Sequence, residues 1–232
     1  MTLASMPARP FELARLFLCC ALTTWAAGSA AQEAISPAEQ QLFLSNHFQG
    51  APADIMLRYR YVRAGSLEAA RSGDIKVAVS PSKTAPGQRQ MHFEYSSPGE
   101  EMELPDRDDA SGNPVILFFL EQDVRQMQRL TGGQAAYFRK GVRMALANAA
   151  RITPISFEYA GKTVNGEQIT VQPFATDPLR RRFERLADKV YTFTLSPEVP
   201  GTVYRLHAIA QGAQEAGPPL LEETLTLSGV EP

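Results

Sequence analysis

The sequence predicts an α+β domain in which a curved, open-barrel-like antiparallel sheet of about eight strands packs against a central helical pair. Three observations lead there. Segments whose apolar residues recur with period two come in two batches, and a stretch with helical apolar spacing separates the batches. Strands and helices do not alternate along the chain, as a parallel sheet would require. Adjacent strand segments are joined by turn-rich stretches of hairpin type.

The elements follow in order. Ser36-Pro37-Ala38-Glu39 reads as a helix start, with a Ser cap, Pro at the first helical position and Glu39 placed to reach back, and a short helix to about Asn46 follows. Leu57 to Val62 alternates apolar and basic residues and continues into Arg63, as a strand with one wetted face does. Asp74 to Val79 and Gln90 to Tyr95 repeat the pattern, bounded by Gly73, Pro81 and Ser97-Pro98-Gly99. Residues 100–113 hold six carboxylates and one cation, Arg107, and end in Ser111-Gly112-Asn113-Pro114, which predicts a solvated loop.

The most apolar run, Val115 to Leu120, opens a predicted helix in which Leu117, Leu120, Val124, Met127 and Leu130 share a face. Thr131-Gly132-Gly133 stops it and offers a hinge. A second helix, Gln134 to Ala149, places Phe138, Val142, Ala145 and Leu146 together. Strands return at Ile155–Tyr159 and Gln168–Val171, with a turn predicted at Val164-Asn165-Gly166, and then at Tyr191–Leu195, Val203–Ala208 and Leu221–Leu227. Pro200-Gly201 marks one more hairpin. In architecture this is similar to the open, incomplete barrels of periplasmic lipoprotein carriers, whose helices cover an apolar face. No residue motif carries that resemblance, so it transfers no site.

Residues 1–31 read as a secretory leader. Arg9 and Arg15 precede an apolar run, Leu16 to Ala27, that is shorter than the roughly 20 residues of a membrane span, and Ser29-Ala30-Ala31 supplies small residues for cleavage before Gln32. The leader holds Cys19, Cys20 and the only tryptophan, Trp25, so the mature chain is expected to have no thiol chemistry and no disulfide. Leu18 before Cys19 does not fit a lipoprotein cleavage site. Residues 32–232 then form a single domain with a helical insertion near 115–149, expected in the periplasm without a stable membrane span. Cleavage leaves 21 Lys and Arg against 24 Asp and Glu, which favours neither nucleic acid nor an anionic membrane surface.

Chemical motifs are sparse. His47, His92 and His207 lack zinc-ligand spacing, although His92 and His207 on twisted strands could converge with Glu94. Asp106, Asp108 and Asp109 invite calcium, but the helix-loop-helix pattern wants an oxygen ligand at Ala110 and Gly at Ser111. Ser80-Pro81-Ser82-Lys83 and Gly161-Lys162-Thr163 echo a serine-lysine motif and a phosphate loop without the structural context either needs. Carboxylate neighbours such as Glu222-Glu223 would face opposite sides of a strand, which argues against their acting together. The sequence therefore predicts no catalytic residue, no metal and no cofactor.

Two kinds of binding residue stand out. Phe118, Phe119, Leu120 and Phe138 are expected to line an apolar cavity beneath the helical pair. Arg180, Arg181, Arg182 and Arg185 are expected to dock an anion or a partner. The favoured expectation is an exported, non-enzymatic binding or carrier protein for an apolar or lipid-like molecule. An accessory or assembly factor acting through a protein partner comes second, and a hydrolase with a dispersed site third.

Overall fold

Nine antiparallel strands form one sheet in the computed structural model, which describes residues 35–108, 111–212 and 217–231. The proposed leader, residues 1–31, lies outside the described residues, as do Asp109 and Ala110 of the calcium pattern. One meander contains β1 (Ile55–Ala64), β2 (Arg71–Pro81), β3 (Arg89–Ser97) and β4 (Glu100–Arg107). The other contains β5 (Arg151–Tyr159), β6 (Lys162–Val171), β7 (Val190–Leu195), β8 (Val203–Ala210) and β9 (Leu221–Glu231). Pairing of β1 with β9 joins them in the order β4-β3-β2-β1-β9-β8-β7-β6-β5, so the sheet is open, with β4 and β5 at its two edges.

That topology explains the helices. Between β4 and β5 the chain must pass from one edge to the other, eight strand spacings of about 4.8 Å, or roughly 38 Å across a flat sheet. Helix α2 (Val115–Thr131) and helix α3 (Ala135–Asn148) supply about 26 and about 21 Å at 1.5 Å per residue. Lying across one face, they make the crossing and cover the apolar side of the sheet. A short helix α1 (Pro37–Glu39), continued by a π-helical turn over Gln40–Leu44, packs against α3, where the Ser36 hydroxyl donates to the Leu146 carbonyl at 3.1 Å. Its start is the predicted capping box: Ser36 Oγ accepts from the Glu39 amide at 3.1 Å, and the Glu39 carboxylate accepts from the Ser36 amide at 3.0 Å.

Alternation decides what each strand buries. Leu57, Tyr59 and Tyr61 of β1, Ile75, Val77 and Val79 of β2, and Leu221, Leu225 and Leu227 of β9 face the helices, while Arg58 and Arg60 face solvent with Glu231 and Asp74 as partners. Phe138, Phe174 and Phe183 pack edge to face in an aromatic nest under α3, centroids 5.4 to 5.9 Å apart. Gly141 permits that approach, since a Cβ there would lie 2.4 Å from the Phe174 ring.

The structure corrects three sequence-level expectations. Residues 100–107 of the acidic segment are strand β4, which raises the expected eight strands to nine; an edge strand carries charge readily, because charge blocks unwanted pairing. Asn165-Gly166 lies inside β6, and the hairpin turns instead at Ala160-Gly161, which take the positive φ values of 49° and 75° that a two-residue hairpin turn needs. Gly166 is a close approach, since a Cβ would meet the Leu195 carbonyl oxygen at 2.3 Å. Finally, α2 buries only part of the predicted face: Val124 and Met127 are buried, but Leu117 is 59% exposed, and Ile116, Phe119, Asp123 and Gln126 are buried in addition.

Candidate functional site

A groove of about 600 Å³ opens between the β3–β4 edge and the N-terminal half of α2. Met91 and Phe93 of β3 and Met102, Leu104 and Pro105 of β4 form its strand wall. Ile116, Leu117 and Phe118 form the helical wall, Leu42 and Phe43 close one end, and Arg107, Glu121, Gln122 and Arg125 bring polar groups to its lining. Its size falls in the range of roughly 300–1,000 Å³ typical of small-molecule sites, and its mainly apolar lining with a few polar groups is the usual composition. Two methionines on the strand wall add an unbranched, polarizable surface that adapts to different shapes.

The rear of the groove is rigid. The Phe118 ring packs on Phe93, Tyr95 and Tyr61 at centroid distances of 5.4, 4.8 and 5.9 Å. The loop entering α2 is also fixed: buried Asn113 donates from its side-chain amide to Tyr59 Oη at 2.7 Å and to the Gly201 carbonyl at 2.9 Å. Its backbone amide donates to His47 Nδ1 at 2.9 Å, which leaves Nε2 as the nitrogen that donates to the Gln41 carbonyl at 2.7 Å. That tautomer is neutral, and burial holds the His47 pKa below its ordinary value against the opposing Gln41 bond.

A second groove, of about 550 Å³, adjoins the first on the outer side of α2 and shares Phe43, Leu117 and Glu121 with it. Leu120, Val124, Val142 and Leu146 line it, with Arg139 and Arg143 alongside. Glu121 lies where the two meet and binds Arg139 at 2.6 and 2.9 Å and Arg125 at 3.5 Å; the Arg139 hydrogen bond chiefly holds its carboxyl below the usual range.

The C-terminal half of α2 meets the sheet through buried charge. Lys189 donates to Asp123 Oδ1 and, at 3.2 Å, to Gln126 Oε1, while Glu223 Oε2 lies 3.9 Å away. Tyr191 donates to the other Asp123 oxygen, and Tyr61 donates to Glu223 Oε1 at 2.8 Å. Burial alone would lower the Lys189 pKa, but Asp123 and Glu223 outweigh it and hold the ammonium above its ordinary value; burial raises the Glu223 carboxyl, with Lys189 opposing. Lys189, Asp123 and Glu223 side chains are 0%, 1% and 0% exposed, so no solute touches them unless α2 moves. They clamp the helix to β7 and β9. Glu68, between β1 and β2, extends the clamp to Gln126 at 2.9 Å and Arg129 at 2.7 Å.

The four predicted cavity residues are not brought together. Phe118 lines the first groove and Leu120 the second, Phe119 is fully buried in the core, and Phe138 belongs to the aromatic nest beside a separate hollow of about 350 Å³. Successive helical residues point about 100° apart, so Phe118, Phe119 and Leu120 cannot share one cavity. Sequence reading missed Met91, Phe93, Met102 and Leu104, whose signal was their alternation on two adjacent strands.

Arg180, Arg181, Arg182 and Arg185 are exposed on two 3₁₀ turns, Arg180–Arg182 and Glu184–Asp188, the second of which buries Leu186 and Ala187, and Arg180 is tied to Asp188 at 2.8 Å. His92 and His207 do not converge, since β3 and β8 are separated by β2, β1 and β9. His92 bonds Asp106 at 2.7 Å and Glu94 at 3.2 Å on the solvent face, and His207 bonds Glu222 at 2.9 Å. Glu222 and Glu223 face opposite sides of β9, as period two requires. Among the described residues no group of three or more His, Cys, Asp or Glu is arranged to hold a metal ion, and no helix is long and apolar enough to cross a membrane.

No family model matches the chain, and no curated protein matches it. Among solved structures, a LolA superfamily protein from Nitrosomonas europaea is similar over 84% of this chain and 92% of its own, with 7% identity and a TM-score of 0.23. Values that low carry no argument about fold or function.

Proposed function

We propose that this chain is an exported binding or carrier protein that holds an apolar or lipid-like molecule in the groove between α2 and the β3–β4 edge. The observation that carries the reading is the groove itself: about 600 Å³, walled by Met91, Phe93, Met102, Leu104, Ile116 and Phe118. Water in such a space finds few partners, so an apolar occupant gains free energy by displacing it. The clamp at the far end of α2 supports the same reading, because it lets the helix stay anchored while its N-terminal half lines an open site. The leader features of residues 1–31 support export to the periplasm, and the reading assigns no enzymatic step.

Native mass spectrometry of the protein purified from its export compartment tests this directly. The expected result is a co-purified apolar adduct that leaves on delipidation and is replaced by an added fatty acid. Absence of any adduct, together with no uptake of fatty acid, would reject the carrier reading. The surface at Arg181, Arg182 and Arg185 favours a second reading, docking of a protein partner, because Leu179 beside it is 39% exposed. Loss of partner capture in Arg181→Ala/Arg182→Ala would support that role.

A further inference from the structure

Composition gave no reason to expect contact with an anionic membrane, yet charge is not evenly spread on the folded chain. Helix α3 carries Arg139, Lys140 and Arg143 and no carboxylate over its whole length. All three are exposed, and Lys140 and Arg143 make no ion pair among the described residues. Arg143 flanks the second groove, whose walls are apolar residues of α2 and α3. Leu117, the ridge between the two grooves, is 59% exposed. Of the carboxylates in the lining of the second groove, Glu121 binds Arg139 and Arg125, and Glu39, which caps α1 through a backbone amide, keeps its charge beside Arg139 and Arg143. What remains for a partner is an apolar furrow beside Lys140 and Arg143.

We propose that this α2–α3 face docks on an anionic lipid bilayer, with Leu117 and Leu120 entering the interface while Lys140 and Arg143 contact headgroups. Amphipathic helical faces with basic flanks bind such surfaces by combining apolar burial with attraction to anionic lipid. Each basic residue near the surface contributes a comparable, salt-sensitive increment that fades within a Debye length. Because the two grooves share Phe43 and Leu117, docking sets the mouth of the ligand groove against the bilayer, where an apolar cargo would enter or leave. The inference extends the carrier reading without depending on it, since the headgroup-binding Lys140 and Arg143 lie outside the lining of the cargo groove.

The test is co-flotation of the chain beginning at Gln32, whose residues from Ile35 onward form one compact unit, with vesicles of phosphatidylcholine alone or mixed with phosphatidylglycerol. Binding should appear with the anionic vesicles at low salt, fall as salt rises, and weaken by at least about tenfold in Lys140→Ala/Arg143→Ala. Leu117→Ser should also weaken it, which separates docking from charge attraction alone. The Lys140→Ala/Arg143→Ala protein should still take up an apolar fluorescent dye, since neither residue lines the cargo groove. No flotation with anionic vesicles at low salt, equal flotation with neutral vesicles, or full flotation of either variant would overturn the proposal. Flotation without dye uptake by the unaltered protein would leave docking standing and remove the carrier reading.

Discussion

The two ends of α2 meet the same sheet in opposite ways. Toward the N-terminus, Ile116 and Phe118 meet the strands through apolar and ring contacts beside the groove, and among the described residues hydrogen bonds to the sheet come only from Asn113 in the loop that enters the helix. Toward the C-terminus, Asp123 and Gln126 are pinned by Lys189, Tyr191 and Glu68 through directional, desolvated bonds. An apolar contact tolerates small slides, whereas a buried ion pair has one geometry and a large penalty for losing it. A helix held by buried charge at one end and by apolar contacts beside a groove at the other is suited to line a site that admits a guest.

The contrast is open to direct attack. Asp123→Ala leaves the Lys189 ammonium buried with only Gln126 and the more distant Glu223 as partners and should cost about 3–5 kcal/mol in urea unfolding. The double variant Asp123→Leu/Lys189→Met should be less destabilised than Asp123→Ala, because no unpaired charge stays inside. Leu117→Ser, six residues earlier on the same helix, should change stability by no more than about 0.5 kcal/mol, as exposed positions do. Equal losses at positions 117 and 123 would dissolve the distinction between the two ends.

Titration should act on the groove end with two signs. His47 is held neutral with its folded pKa below the ordinary 6.5, so its contribution is present above that value and is lost as pH falls below it. His92 lies behind the strand wall, where its hydrogen bond to Asp106, then Glu94 and the nearby charges, raises its pKa. Its contribution is complete below 6.5 and is lost as pH rises through the raised folded value. Urea midpoints measured across this range should lose their acid-side slope in His47→Gln and their alkaline-side decline in His92→Gln. An unchanged profile in both would show that neither histidine is coupled to folding.

Much of the sheet was legible because a half-buried strand advertises itself: Leu57, Tyr59 and Tyr61 alternate with Arg58 and Arg60, and the buried face follows. The β4 edge was not legible, since Glu100, Glu101, Glu103 and Asp106 satisfy an edge strand and a solvated loop equally well. Nor was the clamp. Lys189 and Asp123 are 66 positions apart, and nothing local marks a lysine that will be buried. The hint was that Asp123 and Gln126 share the helical face of Phe119 and Met127, where two polar residues had no place unless partners awaited them. Phe119 and Phe138 lie in the core and outside the α2–β4 groove, because apolarity alone does not say which way a helix is turned.

The account rests most heavily on the groove, and one titration reaches it: an apolar fluorescent dye added to the unaltered protein and to Met102→Glu, which places a carboxylate on the strand wall. Saturable uptake by the unaltered protein, weakened at least about tenfold in the variant while its fold is retained, is the predicted result. Saturable uptake undiminished in Met102→Glu, or no uptake by either protein, would contradict it.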